Sequence, residues 1–315
     1  MDVSIIIINW NSKEYLRKCL RSFQSVSSKL SMETIVVDNA SHDGCGEMLA
    51  KEFPSAIFVQ SAENLGFARG NNLGASRATG RNLWFLNPDT ELLEDSVSTL
   101  VSRLDSIPGA GAVGCKLLNS DKTLQTSCVQ SFPSVLNQFL DSDFLRSRFP
   151  RSRLWGTSVF LSDDPRPQPV EAVSGAGVMI KSSVFRQIQG FTQSYFMYGE
   201  DLDLCFKVKR AGYEVYYLPE TSMLHHGGTS TRKAKSDFSN VMMRESVFRF
   251  LRLHRGLASA LGYRVAMAAN SGLRLFLILP LLLAGNRIVK HGTGSLQKWF
   301  AILRWSLGFD RLAAH

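Results

Sequence analysis

The sequence predicts an α/β fold: a mostly parallel central sheet with helices on both faces, followed by a C-terminal helical extension. Three observations predict it. Apolar strand-like runs alternate with amphipathic helical runs over residues 3–118. The strands are continuous β-branched stretches, as strands buried on both faces read. Charge is segregated: residues 1–240 hold 25 Lys/Arg and 25 Asp/Glu, whereas 241–315 hold 11 basic residues against Glu245 and Asp310.

VSIIIINW (3–10) reads as the first strand. SKEYLRKCLRSFQ (12–24) opens on a serine cap and spaces Tyr15, Leu16, Cys19, Leu20 and Phe23 along one helix face. ETIVVDNAS (33–41), AIFVQS (56–61), NLWFLN (82–87) and GAVGCKLL (111–118) read as further strands. Helices CGEMLAKEF (45–53) and SVSTLVSRLDS (96–106) stand between them, and the Gly- and Asn-rich run 66–78 becomes helical along its length. Pro88 cannot donate to a ladder, so pairing is expected to stop at FLNPDT (85–90). Asp38 and Asp89 thus lie at strand carboxyl ends, where ligands bind in such sheets. Residues 119–172 are polar, proline-rich and weakly periodic, and read as a loop-rich insertion, a candidate lid over an acceptor. Order resumes with VSGAGVMIKSSVF (173–185), a helix between Gly199 and Gly212, the strand YEVYYLP (213–219) and HHGGTST (225–231).

The balanced body argues against a nucleic-acid binder. The five cysteines form no CxxC pair and read as reduced thiols in a cytosolic setting. MDVSIIII lacks the marks of a signal peptide and reads as a strand. LRLFLILPLLLAG (273–285) is too short and too interrupted by Arg274 and Pro280 for a spanning helix. The basic, apolar tail fits either an interfacial contact with anionic lipid or a helical subdomain packed on the body.

VSIIIINWNSKEYLRKCL, IVVDNASHDG, ENLGFARGNNLGASRATG, WFLNPDT, SGAGVMIK, FMYGEDLDLCFKVKRAGY and HHGGTS together resemble the inverting family 2 glycosyltransferases with the GT-A nucleotide-diphospho-sugar transferase fold, in particular the rhamnosyltransferase-like members. The likeness covers about 3–231. It implies a catalytic domain over 1–240: a nucleotide-binding half (1–118), the insertion (119–172) and an acceptor and catalytic half (173–240), with 241–315 as the tail. It implies nucleotide contacts from Asn11, Asp38, Asn64 and Gly66, and from Arg69, Asn71 and Asn87. A carboxylate at Asp38 suits the imide N–H of uracil or thymine, although DNAS is also good turn chemistry. Glycines 66, 70 and 74 allow close backbone approach. Arg69 either reaches a phosphate or stays a surface arginine.

Asp89 matches the last acid of the family's metal-binding motif, whose first acid is here Asn87, and His225 (rather than His226) would complete a site for Mg or Mn. Asp201 matches the general base and Glu200 orients the acceptor or the base. Helical geometry puts Asp201 on the face of Leu204, Cys205 and Val208, and places Asp203 four residues before Lys207, spaced for an ordinary ion pair. The resemblance further implies a nucleotide-sugar donor (dTDP-rhamnose first, a UDP-sugar second) and a glycan or polyprenyl-linked acceptor in surface polysaccharide synthesis. It implies a cytoplasmic location, peripheral at the inner face of the inner membrane. A catalytically inactive nucleotide-sugar-binding scaffold is the rival; a nucleotidyltransferase fits poorly, because NWNSKEY, not a basic Gly-rich loop, follows the first strand.

Overall fold

The computed structural model describes residues 1–24, 29–140, 142, 148–149, 164–227, 237–283 and 293–309, and the side chains of all these except 237, 278–283 and 293–295. Part of the expected lid, the stretch after Gly227 in HHGGTST and the end of the apolar run 273–285 lie outside the described residues. The chain divides into two units, Met1–Phe132 with Thr157–Ser230, and Pro133–Gly156 with Thr231–His315.

The first unit is built on β1 (Val3–Asn9), α1 (Lys13–Gln24), β2 (Met32–Asp38), α2 (Cys45–Glu52), β3 (Ile57–Gln60), α3 (Gly66–Ala75), β4 (Asn82–Leu86), β5 (Thr90–Leu92), α4 (Ser96–Ser106) and β6 (Ala110–Leu118). A short 3₁₀ turn at Thr126–Cys128 leads to β7 (Val129–Gln130). β8 (Gln168–Val170), β9 (Ala172–Val173), β10 (Gly177–Lys181), α6 (Ser182–Gln187), α7 (Glu200–Arg210) and β11 (Glu214–His225) complete it. The sheet order is β3-β2-β1-β4-β10-β6-β11-β5, with β8 also on β11. β3, β2, β1 and β4 run parallel. β10 enters antiparallel between β4 and β6, and β6 pairs parallel with β11.

Every residue of β1 and β4 is buried, as their unbroken apolar runs require. Register sets the site: Asn9 stands opposite Asp38, Asp38 opposite Gln60, and His225 opposite Thr90. β11 continues past Pro219 because the ladder shifts between Leu218 and Ser222, where a proline without N–H is tolerated. Strand β5 has no counterpart in the sequence reading, being a three-residue edge strand with little period to detect.

Helix α3 starts at Gly66, earlier than expected. A Cβ on Gly70 would lie 3.3 Å from Ile8 Cγ2, and one on Gly74 2.5 Å from Ile6 Cγ2. These two glycines let the helix sit close on β1. Gly66, at φ 73°, faces the Phe196 carbonyl, 2.3 Å from a would-be Cβ. Gly74→Ala gains about 1 kcal/mol of helix propensity but overpacks a fully buried isoleucine at a cost of about 1–3 kcal/mol. A net loss in denaturant-derived stability is the expected outcome; a gain would show that α3 can lift off the sheet freely.

The second unit contains α5 (Val135–Phe139), α8 (Asp237–Leu283) and α9 (Thr293–Ser306). α5, within the stretch read as loop-rich, is closed by a capping box between Ser134 and Asn137. α8 is broken at Gly256 (φ 85°, ψ 167°), giving two helical segments. Phe250, Leu251, Tyr263, Ile302 and Trp305 form its buried core, and Trp305 Nε1 donates to Glu245 at 2.9 Å. Among the described residues no helix is long and apolar enough to cross a membrane.

Candidate active site

The carboxyl end of β4 leads into Asn87, Pro88 and Asp89, and the end of β11 brings the two histidines alongside. His226 N donates to the Asp89 carbonyl at 2.9 Å, which fixes the loop. His225 Nε2 then stands 3.5 Å from Asp89 Oδ1 and 3.2 Å from the Asn87 amide nitrogen. His226 turns elsewhere: Nε2 is 2.8 Å from Glu91 Oε1 and Nδ1 2.8 Å from Ser120 Oγ. Its ring leans on Tyr15 at 5.7 Å.

Gln125 sets the imidazole's orientation. Its Nε2 donates to the His225 carbonyl and its Oε1 lies 2.8 Å from His225 Nδ1. Nδ1 therefore carries a hydrogen, and the second ring nitrogen faces the carboxylate. Burial works to raise the Asp89 carboxyl, but the hydrogen bond and charge of His225 outweigh it and hold it below the usual carboxylate range. The 3.5 Å gap leaves the carboxylate and the ring nitrogen facing one another as two potential cation ligands. Two ligands of an ion at about 2.1 Å and a right angle stand about 3 Å apart, so the pair fits two corners of a coordination shell. Asn87 supplies no second carboxylate.

Asp201 lies at the start of α7, after Gly199 in the left-handed region (φ 79°). Its Oδ2 accepts from Gly175 N at 2.9 Å and Gln130 Nε2 at 3.0 Å; Oδ1 accepts from Leu202 N at 2.8 Å. It is half-buried. Asp203 is fully buried, held by Thr192 Oγ1 at 2.6 Å and paired with Lys207 at 3.8 Å, the pairing its spacing predicts. Asp201, on the same helix face as the buried Leu204, Cys205 and Val208, packs beside Gly175, whose backbone N–H bonds its carboxylate. Glu200 is buried and its Oε2 has no hydrogen-bond partner. Burial, then the Asp201 charge, push its carboxyl up to about 8.

One turn joins the two clusters. Gly175 N bonds Asp201, and the next carbonyl, Ala176, accepts from Asn87 N at 3.0 Å. Asp201, Asn87, His225 and Asp89 are thus fixed through one short backbone segment.

The other expected residues gather at the ends of β1–β3. Asp38 is only 2% exposed; its oxygens accept from Asn9 Nδ2 (2.9 Å), Gln60 Nε2 (2.9 Å), Ser41 N (3.3 Å) and the Ser41 hydroxyl. Burial alone would raise this carboxyl, yet the bonds from Ser41, Asn9 and Gln60 lower it. With its oxygens taken up by protein donors, Asp38 organises the loop; a base pairing directly with it would have to displace them. Asp43 and Cys45 lie beside it, with ligand atoms within 4.8 Å of one another, but Asp43 already accepts from Lys13 N and Cys45 N, an Asx-type cap rather than an open cation site. Asn64 Oδ1 accepts from Gly66 N and Asn39 Nδ2. Asn11 is exposed at φ 51°. Asn71 is buried in α3, donating to the Phe67 carbonyl, with its Oδ1 unpartnered. Arg69 forms an exposed ion pair with Glu63 at 2.9 Å. Gln125, Gln130, Asn9 and the Gly175–Ala176 backbone were not singled out by the sequence.

Residues 4–185 match the family model described as "Glycosyl transferase family 2". An N-acetylglucosaminyl-diphospho-decaprenol L-rhamnosyltransferase of Mycobacterium tuberculosis is 27% identical over 239 residues, covering 72% of this chain and 76% of its own length. Rhamnosyltransferase WbbL of Escherichia coli is 25% identical over 269 residues, covering 82% and 95%. Among solved structures, a mannosyltransferase of Pyrobaculum calidifontis in complex with GDP-Man and Mn²⁺ superposes with TM-score 0.58 at 18% identity over 98% of this chain and 88% of that one. TarS of S. aureus gives 0.52 at 13% identity over 98% and 91%.

Proposed function

Because this chain belongs to glycosyl transferase family 2 and has the GT-A fold of its structural neighbours, we propose that it transfers L-rhamnose from dTDP-rhamnose to a lipid-linked sugar hydroxyl with inversion. The observation that carries the reading is the turn Ser174–Gly177, which ties the Asp201 carboxylate to the backbone of Asn87, beside the Asp89–His225 pair. The choice of sugar and acceptor is supported by the two rhamnosyltransferase relatives, one of which is named for a diphospho-decaprenol acceptor.

Asp201 takes the proton of the acceptor hydroxyl as its oxygen attacks the anomeric carbon. The bond to the diphosphate breaks on the opposite face, so a single displacement inverts the configuration. A divalent cation, Mg or Mn, held by Asp89 and His225, would offset the charge that gathers on the departing diphosphate. Asn87 and Gln125 keep the imidazole aimed. The nucleoside is placed against the ends of β1–β3, where Asp38 holds the loop through Asn9, Ser41 and Gln60, and where Asn11 and Asn64 stand.

Release of nucleoside diphosphate is measured across dTDP-rhamnose and UDP-, GDP- and dTDP-hexoses, with a polyprenyl-diphospho-N-acetylglucosamine acceptor. Turnover is expected with dTDP-rhamnose, abolished by chelation and lowered about a hundredfold in Asp89→Asn. Turnover of a UDP-hexose alone would replace the donor assignment. Donor binding with no transfer at all would make the protein a binding scaffold.

A further inference from the structure

The second unit presents an inverted helix. After the break at Gly256, residues 257–277 of α8 run for about 30 Å. Their outward residues are Leu257 (57% exposed), Leu261 (48%), Val265 (70%), Leu273 (56%) and Phe276 (74%), interspersed with Ala258 and Ala269. Its charges point the other way. Arg264 donates to the Trp305 carbonyl at 2.8 Å and lies 5.1 Å from the Trp305 ring; Arg274 covers Trp299 at 4.3 Å and bonds Asn270. A helix facing water carries its charges outside and its leucines inside. Here the order is reversed over six turns, so the face is shaped for a nonpolar contact.

Charge chooses the occupant. Residues 241–315 hold 11 basic residues and two acidic ones, and Glu245 is engaged by Trp305 and Arg249. Arg252 and Arg255 are exposed where the stripe begins, flanking the 51% exposed Leu253. A second copy would bring this basic unit against itself, whereas an anionic lipid surface meets both the charge and the apolar stripe. We infer that the face of α8 formed by Leu257, Leu261, Val265 and Phe276, with Arg252 and Arg255 at its end, seats the protein in the headgroup region of an anionic membrane. The inference concerns this unit alone and does not depend on the transfer reaction.

The test is flotation of the full chain, without donor or acceptor, on vesicles of phosphatidylcholine alone or with about one third phosphatidylglycerol. The chain floats with the anionic vesicles, and raised salt weakens it. Leu261→Glu with Val265→Glu is expected to lower partitioning at least about tenfold, since both side chains leave the apolar boundary. Arg252→Ser with Arg255→Ser lowers it about tenfold on anionic vesicles only. All four positions are exposed, so thermal melts stay as in the parent, and the arginine pair tests the idea should the glutamate pair misfold. Absence of flotation on anionic vesicles overturns the inference, as does flotation that neither variant reduces. A dimer seen by light scattering that Leu261→Glu with Val265→Glu splits, without lipid binding, overturns it in favour of a contact between copies.

Discussion

Asp201→Asn is expected to lower kcat by about 10²–10⁴, the usual contribution of a positioned general base, and to leave donor affinity within a few-fold. The amide keeps the volume and removes the ability to take a proton. It also brings a small structural cost. Oδ2 accepts from Gly175 N and Gln130 Nε2 while Oδ1 accepts from Leu202 N, so the new NH₂ must face one of these donors. Gln130→Ala separates the two effects: it removes one bond to the carboxylate and keeps the base, and a loss under about tenfold is expected. Single-turnover measurements with saturating donor read the chemical step directly. Full transfer by Asp201→Asn would remove the residue from the mechanism, and an equal loss in Gln130→Ala would make its role one of shape alone.

Legibility followed sequence distance. The β1 run and the α7 boundaries at Gly199 and Gly212 are local signals, and the structure repeats them. The Asp203–Lys207 pair was readable because both ends sit on one helix. Gln125 and Gln130 were not, since each lies in a polar stretch without period and its partner is 100 or 71 residues away. DNAS showed its turn chemistry openly, but the donors from Asn9 and Gln60 that close around Asp38 depend on strand register, which single strands do not display. Gly66, Gly70 and Gly74 repeat every four residues, a spacing that marks one helix face, but their separate neighbours, Phe196, Ile8 and Ile6, depend on packing that the spacing does not display. Placement of His225 beside Asp89, and of His226 on Glu91, comes from the antiparallel register of β11 and β5, a pairing hidden by the shortness of β5.

Glu200→Gln is expected to make the protein more stable at pH 8–9 and to flatten its pH dependence between about pH 4.5 and 8. The Glu200 carboxyl is raised to about 8 from an ordinary 4.5, by burial first and by Asp201 second. A raised acid holds its proton in the folded chain and gives it up when unfolded. Its contribution is therefore complete below about pH 4.5 and is lost as the pH climbs to 8. Over that window the slope approaches about 1.4 kcal/mol per pH unit, so a few kcal/mol are at stake. Glutamine keeps the neutral form at every pH and removes the slope. The same protonation matters to the reaction. While Glu200 is neutral, Asp201 carries the negative charge next to it alone; ionising both would set two carboxylates together in a buried place where Oε2 has no donor to receive it. Calorimetric melts of parent and variant at pH 6 and pH 9 make the comparison. If both lose the same stability between these values, Glu200 is already ionised at pH 6 in the free protein, and the assignment of a buried neutral acid fails.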